Sequence, residues 1–200
     1  MKRFIVALLA ILTFGSSAYA ATAPKQTVIT ATQGVINELQ TLKTEDRTNE
    51  QVKRLVETYI LPAIDQQRIA KLALGKHWKK ASKEQRTAFV DTFRDLQIRT
   101  YTGAFKAFDG QQFDFKDAKF NKSGKKAVVK GLMIQPNGQT IPIDFRLYVA
   151  KDQQWLIYDA VIAGLGMVKT YRQQLSQKLQ NSDLDTVIAG MRGEIQTAQR

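Results

Sequence analysis

The sequence contains no cysteine and a single histidine among its 200 residues. The lack of cysteine excludes disulfides, thiolate metal ligands and a cysteine nucleophile. The lone His77 cannot form a histidine zinc cluster or a relay between two imidazoles. The G-x-S-x-G motif that exposes a nucleophilic serine is also missing. Little therefore favours an enzyme, and the remaining candidates are Asp144 and Asp159, two carboxylates on neighbouring predicted strands that could act as a pair.

Long apolar runs are scarce as well, and the run at residues 4–14 is shorter than the roughly 20 residues that span a bilayer. Lys2 and Arg3 precede this run and Ala18-Tyr19-Ala20 follows it, which is the pattern of a signal peptide. We therefore expect residues 1–20 to be removed after Ala20, and residues 21–200 to be exported as a single soluble domain. Export of a chain without cysteine favours a bacterial periplasm over a disulfide-stabilised secreted product.

Acidic residues are outnumbered, because 18 Asp and Glu face 30 Lys and Arg, which gives a formal net charge of +12. Two groups of lysines contribute most visibly: Lys76, Lys79, Lys80 and Lys83, and then Lys116, Lys119, Lys122, Lys125 and Lys126. Such a balance bears on partners and not on fold. In an envelope compartment, anionic lipid headgroups or an acidic protein are better candidates than nucleic acid, since each lysine near an anionic membrane contributes about 1 kcal/mol.

The longest amphipathic pattern covers residues 82–108 and predicts a helix that begins with the capping-box spacing of Ser82 and Gln85. At about 100° per residue, its apolar side chains occupy roughly half the cylinder, more than the ~100° stripe of an ordinary surface helix. Arg94 falls inside this sector, so we expect it at a rim or beside an acid. The apolar arc is either core, packed between a sheet and another helix, or the wall of an apolar pocket.

Helical spacing also fits residues 25–43, 52–60 and 65–74, residues 167–180, and a last segment that Ser182 and Asp185 would cap. Between these helices, alternation predicts an antiparallel meander of about four strands. The first strand is marked by Phe113, Phe115 and Phe120, and the others cover residues 127–135, 141–149 and 153–162. Helices before and after one run of strands indicate the α+β class, with helices on one face of the sheet.

Several short motifs follow one another along the chain. They are Leu61-Pro62 with Asp65, Leu74-Gly75-x-x-Trp78-x-x-Ala81-Ser82, Gln85-Arg86 with Phe89, Phe93, Leu96 and Tyr101, and Trp155-x-x-Tyr158-Asp159 with Gly164. None is specific alone, but their succession over residues 52–188 resembles the MlaC family, also called the toluene-tolerance auxiliary family. Members of that family are periplasmic phospholipid-binding proteins of the pathway that maintains outer-membrane lipid asymmetry.

The resemblance implies a curved antiparallel sheet packed under helices around a deep apolar pocket for acyl chains, with the lipid headgroup near solvent. It implies phospholipid as cargo, without catalysis, cofactor or metal. It also implies two partners, an inner-membrane ABC transporter complex with a periplasmic lipid-binding ring and an outer-membrane lipoprotein–porin complex. The protein would shuttle lipid between these two complexes.

Together, the apolar arc and the resemblance predict which side chains line the pocket. They are Ile60, Phe89, Phe93, Leu96, Tyr101 and Phe105 from the helices, and Val129, Met133, Ile143, Phe145, Leu147 and Tyr158 from the sheet. Arg94 is the candidate for the headgroup rim. The alternative is a non-catalytic periplasmic adaptor, whose apolar arc is only core and whose basic surface binds an acidic protein.

Overall fold

The computed structural model describes residues 23–197, so the predicted signal peptide and its cleavage after Ala20 lie outside the described residues. Four α-helices come first: α1 (Pro24–Thr41), α2 (Asn49–Leu55), α3 (Gln66–Leu74) and α4 (Lys83–Lys106). Short turns join them. Thr44–Asp46, Leu61–Ala63 and Gly75–Lys79 are 3-10 turns, and Val56–Ile60 is a single π-helical turn that directly continues α2.

Local side-chain chemistry explains where these helices begin. Ser82 accepts a hydrogen bond from the backbone N–H of Gln85, and the Gln85 side chain accepts one from the N–H of Ser82, so the predicted capping box of α4 is confirmed. The side chains of Thr48 and Asp65 cap α2 and α3 in the same way. Pro62 cannot donate a backbone hydrogen bond, and it lies in the 3-10 turn between α2 and α3.

The strands form one antiparallel sheet in the order β1-β3-β4-β5-β6, with β2 also paired to β3. Their bounds are β1 Gln112–Phe115, β2 Lys119–Phe120, β3 Lys126–Ile134, β4 Thr140–Val149, β5 Trp155–Ile162 and β6 Leu165–Gly166. The predicted first strand is thus two short strands, and both pair with the long β3. The α+β class and the meander of β3, β4 and β5 are confirmed.

A β-bulge changes the register between β4 and β5. Arg146 lies opposite Asp159, whereas its neighbour Leu147 lies opposite Ile157, so Tyr158 has no partner of its own in the ladder. The bulge lets Ile157 pack into the same apolar cluster as Leu147. Tyr158 packs instead against Tyr148, with 6.1 Å between the ring centroids.

Two helices follow the sheet: α5 (Met167–Lys178) and α6 (Leu184–Thr197). The buried carboxylate of Asp159, on β5, accepts a hydrogen bond from the N–H of Val168 at 3.0 Å and so caps the first turn of α5. At the start of α6 the cap is Asp183, whose side chain accepts from the N–H of Thr186 at 2.8 Å. The prediction of Ser182 as this cap was wrong by one residue, because Asp183 directly precedes the helix.

The buried side chains form three apolar clusters. One lies among α3, α4, α5 and α6 and contains Phe89, Phe93 and Met191. The second covers one face of the sheet, where Val28 of α1 packs with Val129 and Leu147 among other residues. The third joins α1, α2 and the last turns of α4. No helix within residues 23–197 is both long and apolar enough to cross a membrane.

One contact ties the helical half of the chain to the sheet. Ile64 forms a parallel bridge with Ile157 of β5, and the N–H of Asp65 donates to the carbonyl of Ile157 at 3.0 Å. β6 pairs only with Val161 and Ile162, at the far end of β5. The bridge therefore fixes the end of the 3-10 turn Leu61–Ala63 beside the part of β5 that β6 does not reach.

Candidate functional site

An apolar cleft of about 220 Å³ lies between α4 and the turns that follow α2. We call it the π-turn cleft. Its lining is Val56, Ile60, Leu61, Ile64 and Gln66 on one side and Arg94, Gln97, Ile98, Tyr101 and Phe105 on the other. Most of these side chains are aliphatic or aromatic, and the few polar groups are the kind that fix a ligand's orientation. The cleft can therefore accept an apolar chain.

A second cleft, of about 290 Å³, lies between α4, α5 and α6. Phe93, Leu96 and Tyr101 supply its α4 wall, and Tyr171 and Met191 lie on the other side. The hydroxyls of Tyr101 and Tyr171 are 3.0 Å apart, and the Phe93 ring meets the edge of Tyr171 at 4.9 Å. Burial, and then the hydrogen bond with Tyr101, raise the pKa of Tyr171, so this hydroxyl stays protonated in the apolar surroundings.

These two clefts explain why the apolar arc of α4 is so wide. One half of the arc faces α5 and α6, where Phe89 and Phe93 are almost completely buried. The other half carries Tyr101 and Phe105 and faces the π-turn cleft. Tyr101 lines both clefts. The two interpretations of the arc therefore each apply to one half: the first half is mostly core, and the second borders open apolar space.

Arg94 lies in the lining of the π-turn cleft, and its guanidinium is paired with acids. Its Nε donates to Asp95 at 3.0 Å, and its Nη1 lies 3.3 Å from a carboxylate oxygen of Asp91. The side chain is 35% exposed, so the charge is solvated as well as paired. The acidic neighbours expected for Arg94 are therefore present. Their pairing with the guanidinium lowers the desolvation cost of placing a cation in the lining of the cleft.

The structure brings together only part of the predicted lining. Ile60, Tyr101, Phe105 and Arg94 meet in the π-turn cleft. Phe93 and Leu96 line the second cleft instead. Phe89 lines neither of these two clefts, because its ring is 0% exposed and stacked on Phe93.

None of the predicted sheet residues lines these two clefts. Val129, Ile143 and Leu147 are buried in the cluster on the sheet face, and Met133 and Phe145 pack against that cluster. The physical reason is that α1, through Val28, covers this face directly. The bulge places Tyr158 beside Tyr148, with its ring 5.2 Å from the Arg68 guanidinium.

Sequence reasoning missed the wall that the turns after α2 provide. Val56, Leu61 and Ile64 line the cleft from a π turn, a 3-10 turn and an extended residue. A helical count cannot place side chains across such changes of period. The available signal was the apolar run of residues 60–64, interrupted only by Pro62, opposite the apolar arc of α4.

The two carboxylates considered for catalysis do not form a pair. Asp159 is 6% exposed and accepts from Arg146 Nη1 at 3.0 Å and from the N–H of Val168. Asp144 lies opposite Val161 in the ladder, 3.8 Å from the Lys130 ammonium. Each acid is thus occupied by its own partner. Within residues 23–197, no group of three His, Cys, Asp or Glu side chains is placed to hold a metal ion.

A third cleft, open to solvent and about 890 Å³ in volume, has a basic lining. We call it the basic cleft; its cations are Arg68, Lys71, Lys83, Arg86 and Lys151, beside Trp78 and Val90. Two acids also line it. Asp65 already accepts from the N–H of Arg68 and from the Tyr148 hydroxyl, and Asp91 already pairs with Arg94. None of the five cations forms a salt bridge with a carboxylate in the part of the chain that the structure describes.

The fold is thus α+β, with apolar clefts along the central helix α4, and the buried Asp159 is engaged in structural hydrogen bonds. Clefts of this kind are typical of proteins that bind an apolar or amphipathic molecule. The sequence model of the family described as "MlaC protein" matches residues 29–193. The chain belongs to the MlaC family, and the resemblance predicted from its motifs is confirmed.

Known proteins resemble this chain in sequence and in structure. The intermembrane phospholipid transport system binding protein MlaC of Haemophilus influenzae is 26% identical over 142 residues, which cover 70% of this chain and 66% of the relative. The match thus spans just under two thirds of that relative's length. A phospholipid-binding protein from Ralstonia solanacearum, solved in complex with a phospholipid, superposes with a TM-score of 0.81 at 24% identity, covering 89% of this chain and 99% of that one. At that identity, the likeness establishes the fold.

Proposed function

We propose that this protein is a periplasmic carrier that binds the acyl chains of a phospholipid in the π-turn cleft and moves the lipid between the two membranes of the envelope. The observation that carries the proposal is the apolar space between residues 56–64 and α4, with Arg94 in its lining. The relatives support it, because one is a phospholipid transport binding protein and another was solved with a phospholipid.

Burial of the acyl chain supplies the binding free energy. Each buried CH₂ group contributes about 0.8 kcal/mol, so ten of them contribute on the order of 8 kcal/mol before the cost of ordering the chain. The cleft of about 220 Å³ is smaller than the roughly 300–1,000 Å³ of typical small-molecule sites. The cleft must therefore widen when lipid enters. We expect the wall of short turns to move, because α4 packs against three other helices, α2, α3 and α6.

The headgroup would lie near Arg94, at the polar part of the lining. The guanidinium is flanked by the carboxylates of Asp91 and Asp95, and the Gln66 and Gln97 side chains are hydrogen bonded to each other at 3.0 Å nearby. A lipid phosphate is an acceptor that can bond Arg94 only by sharing it with these acids. The acyl chains would then provide most of the affinity, and the headgroup would mainly fix the orientation.

We further propose that the protein is exported after cleavage behind Ala20, and that it exchanges lipid with an inner-membrane ABC transporter complex and an outer-membrane lipoprotein–porin complex. The basic cleft supports docking to acidic surfaces, since its five cations lie beside acids that already have partners. Charge complementarity of this kind increases association rates.

We propose no catalytic role and no cofactor. The adaptor alternative accounts for the basic cleft but leaves the apolar cleft without a use.

Extraction of the bound ligand tests the proposal. Protein purified from the periplasm without detergent should release phospholipid into organic solvent, at about one molecule per chain, as measured by mass spectrometry. Repeated recovery of folded but lipid-free protein would contradict the proposal.

A matched pair of variants then locates the site. Ile98→Glu places a charge in the π-turn cleft and should abolish loading. Leu165→Glu makes the same kind of change at a side chain that is 68% exposed, and should load like the wild type. Circular dichroism checks that both variants are folded. Equal loading of the two variants would place the lipid elsewhere.

A further inference from the structure

The wall of the π-turn cleft is an unusual piece of backbone. Val56–Ile60 is a π-helical turn between the regular helix α2 and the 3-10 turn Leu61–Ala63. Turns of this kind are rare, and they occur mostly as single turns at functional sites. Here the turn places Val56 and Ile60 in the lining of the cleft. The position of this one turn therefore sets how far the wall stands from α4.

Tyr59 fixes the turn to α1. Its ring lies where a side chain of residue 34 would otherwise be, because a Cβ built on Gly34 would be 2.2 Å from Tyr59 Cδ1 and 2.7 Å from Cε1. One helical turn further along α1, Glu38 accepts a hydrogen bond from the Tyr59 hydroxyl at 2.9 Å. That bond is the main cause of the raised pKa of Tyr59. We call this arrangement of Gly34, Glu38 and Tyr59 the Tyr59 anchor.

The anchor and the cleft lie on different sides of the π turn. The turn makes extensive contacts with α1, whereas no α1 residue is among the residues that line the cleft. Tyr59 faces α1, and its neighbour Ile60 faces the cleft. A displacement of the Tyr59 ring away from α1 would therefore carry the wall into the cleft, and a loss of the hydrogen bond would leave the wall less firmly held to α1.

We propose that Tyr59 is a positioning residue for the cargo. Tyr59 sets the width of the π-turn cleft through the packing of its ring against Gly34 and its hydrogen bond to Glu38. This inference rests on the proposed function and assigns a control point within it. Tyr59 itself does not line the cleft. It acts through the backbone that it shares with Val56 and Ile60.

Gly34→Ala tests the inference with the smallest possible change. Two carbons in contact are about 3.5 Å apart, so the Tyr59 ring must move by roughly 1.3 Å to make room for the new methyl group. The narrowed cleft should reduce the phospholipid that co-purifies with the full chain at least fivefold, measured by native mass spectrometry. The matched control is Gly193→Ala in α6, where an added Cβ meets nothing within 4 Å. This control should load like the wild type.

A double variant shows whether the ring transmits the effect. Tyr59→Ala removes the ring. The double variant, Gly34→Ala with Tyr59→Ala, should therefore recover at least half of the wild-type loading, although it carries one more substitution than the single Gly34→Ala variant. A role of Gly34 that does not involve the Tyr59 ring would make the double variant worse and not better. Failure of this rescue would overturn the inference, as would wild-type loading of the single Gly34→Ala variant.

Tyr59→Phe provides an independent measurement, which holds even if Gly34→Ala does not fold. This variant keeps the ring on Gly34 and loses only the hydrogen bond to Glu38. Transfer of a fluorescent phospholipid from the protein to vesicles of phosphatidylethanolamine and phosphatidylglycerol should be at least threefold faster than for the wild type. An unchanged rate would overturn the inference. Absence of lipid from the wild-type protein would instead refute the proposed function.

Discussion

Replacing the half-buried Arg47 by Met should destabilise the protein, because Arg47 joins the ends of two helices. Its Nη2 donates to the carbonyls of Leu39 and Leu42, at 3.0 and 3.2 Å, at the end of α1. Its Nη1 donates to the carbonyl of Phe108 at 2.5 Å and lies 3.4 Å from that of Lys106, at the end of α4. One guanidinium thus satisfies the free carbonyls of both helices.

The magnitude follows from the two shortest bonds. Hydrogen bonds that involve a charged group contribute about 1.5–3 kcal/mol each, and the exposed carbonyls regain part of this from water when the donor is lost. We expect Arg47→Met to lower the free energy of unfolding by about 3 kcal/mol. For a chain of this size, each kcal/mol shifts Tm by about 2–4 °C, so Tm should fall by roughly 6–12 °C. Arg47→Lys should recover little, because an ammonium cannot reproduce the planar fork.

Urea unfolding followed by circular dichroism measures the change. The control is Arg54→Met on α2, because Arg54 is exposed and bonds only to Gln51, in the next turn of its own helix. We expect the control to change the unfolding free energy by no more than about 0.5 kcal/mol. A loss below about 1 kcal/mol for Arg47→Met, or an equal loss for the control, would show that the four carbonyls are satisfied equally well by water.

Three further predictions concern the sheet and the single imidazole. Gly131→Ala on β3 should cost about 1–3 kcal/mol in urea unfolding, because the new Cβ would lie 2.4 Å from the Phe115 ring. Asp159→Asn should weaken the start of α5, seen as faster hydrogen exchange at the N–H of Val168 and less change elsewhere in that helix. Burial, and then two nearby lysines, lower the pKa of His77 below 6.5, so its proton NMR signal should titrate below that value. As the pH falls, the unfolded chain therefore binds the proton before the folded protein does. His77 thus contributes stability above pH 6.5 that is lost as the pH falls towards its pKa in the folded protein. A His77→Gln variant should lose that part of the pH dependence of the unfolding free energy. An unchanged urea midpoint would contradict the prediction for Gly131→Ala, and an unchanged exchange rate at Val168 would contradict the one for Asp159→Asn. Titration of His77 at or above 6.5 would contradict the prediction for the imidazole.

Features encoded by neighbouring residues were predicted well from the sequence. The start of α4 depends on Ser82 and Gln85, which are three residues apart, and the structure confirms both hydrogen bonds. The long strands β3 and β4 follow from short-range alternation and appear at nearly the predicted bounds. The family assignment also depended only on the order of local motifs.

The surroundings of the predicted lining residues cannot be read from local sequence patterns, because they depend on contacts between distant parts of the chain. The sequence shows that Val129 and Leu147 are apolar, but not that α1 covers them and fills the space above them. The position of Tyr158 depends on a β-bulge, which is invisible to simple alternation. The π turn was missed for the same reason, since a change from 3.6 residues per turn leaves no periodic signal in five residues.

The bridge between Ile64 and Ile157 limits how the protein can open without risking aggregation. An unpaired strand edge is a template on which another polypeptide can add a strand. If residues 61–64 swung outwards with the cleft, the free N–H and C=O groups of β5 would be presented to neighbouring molecules in a crowded compartment. The bond from Asp65 to Ile157 keeps that edge occupied. Opening confined to the π turn would keep that edge covered each time the protein takes up or releases the proposed cargo.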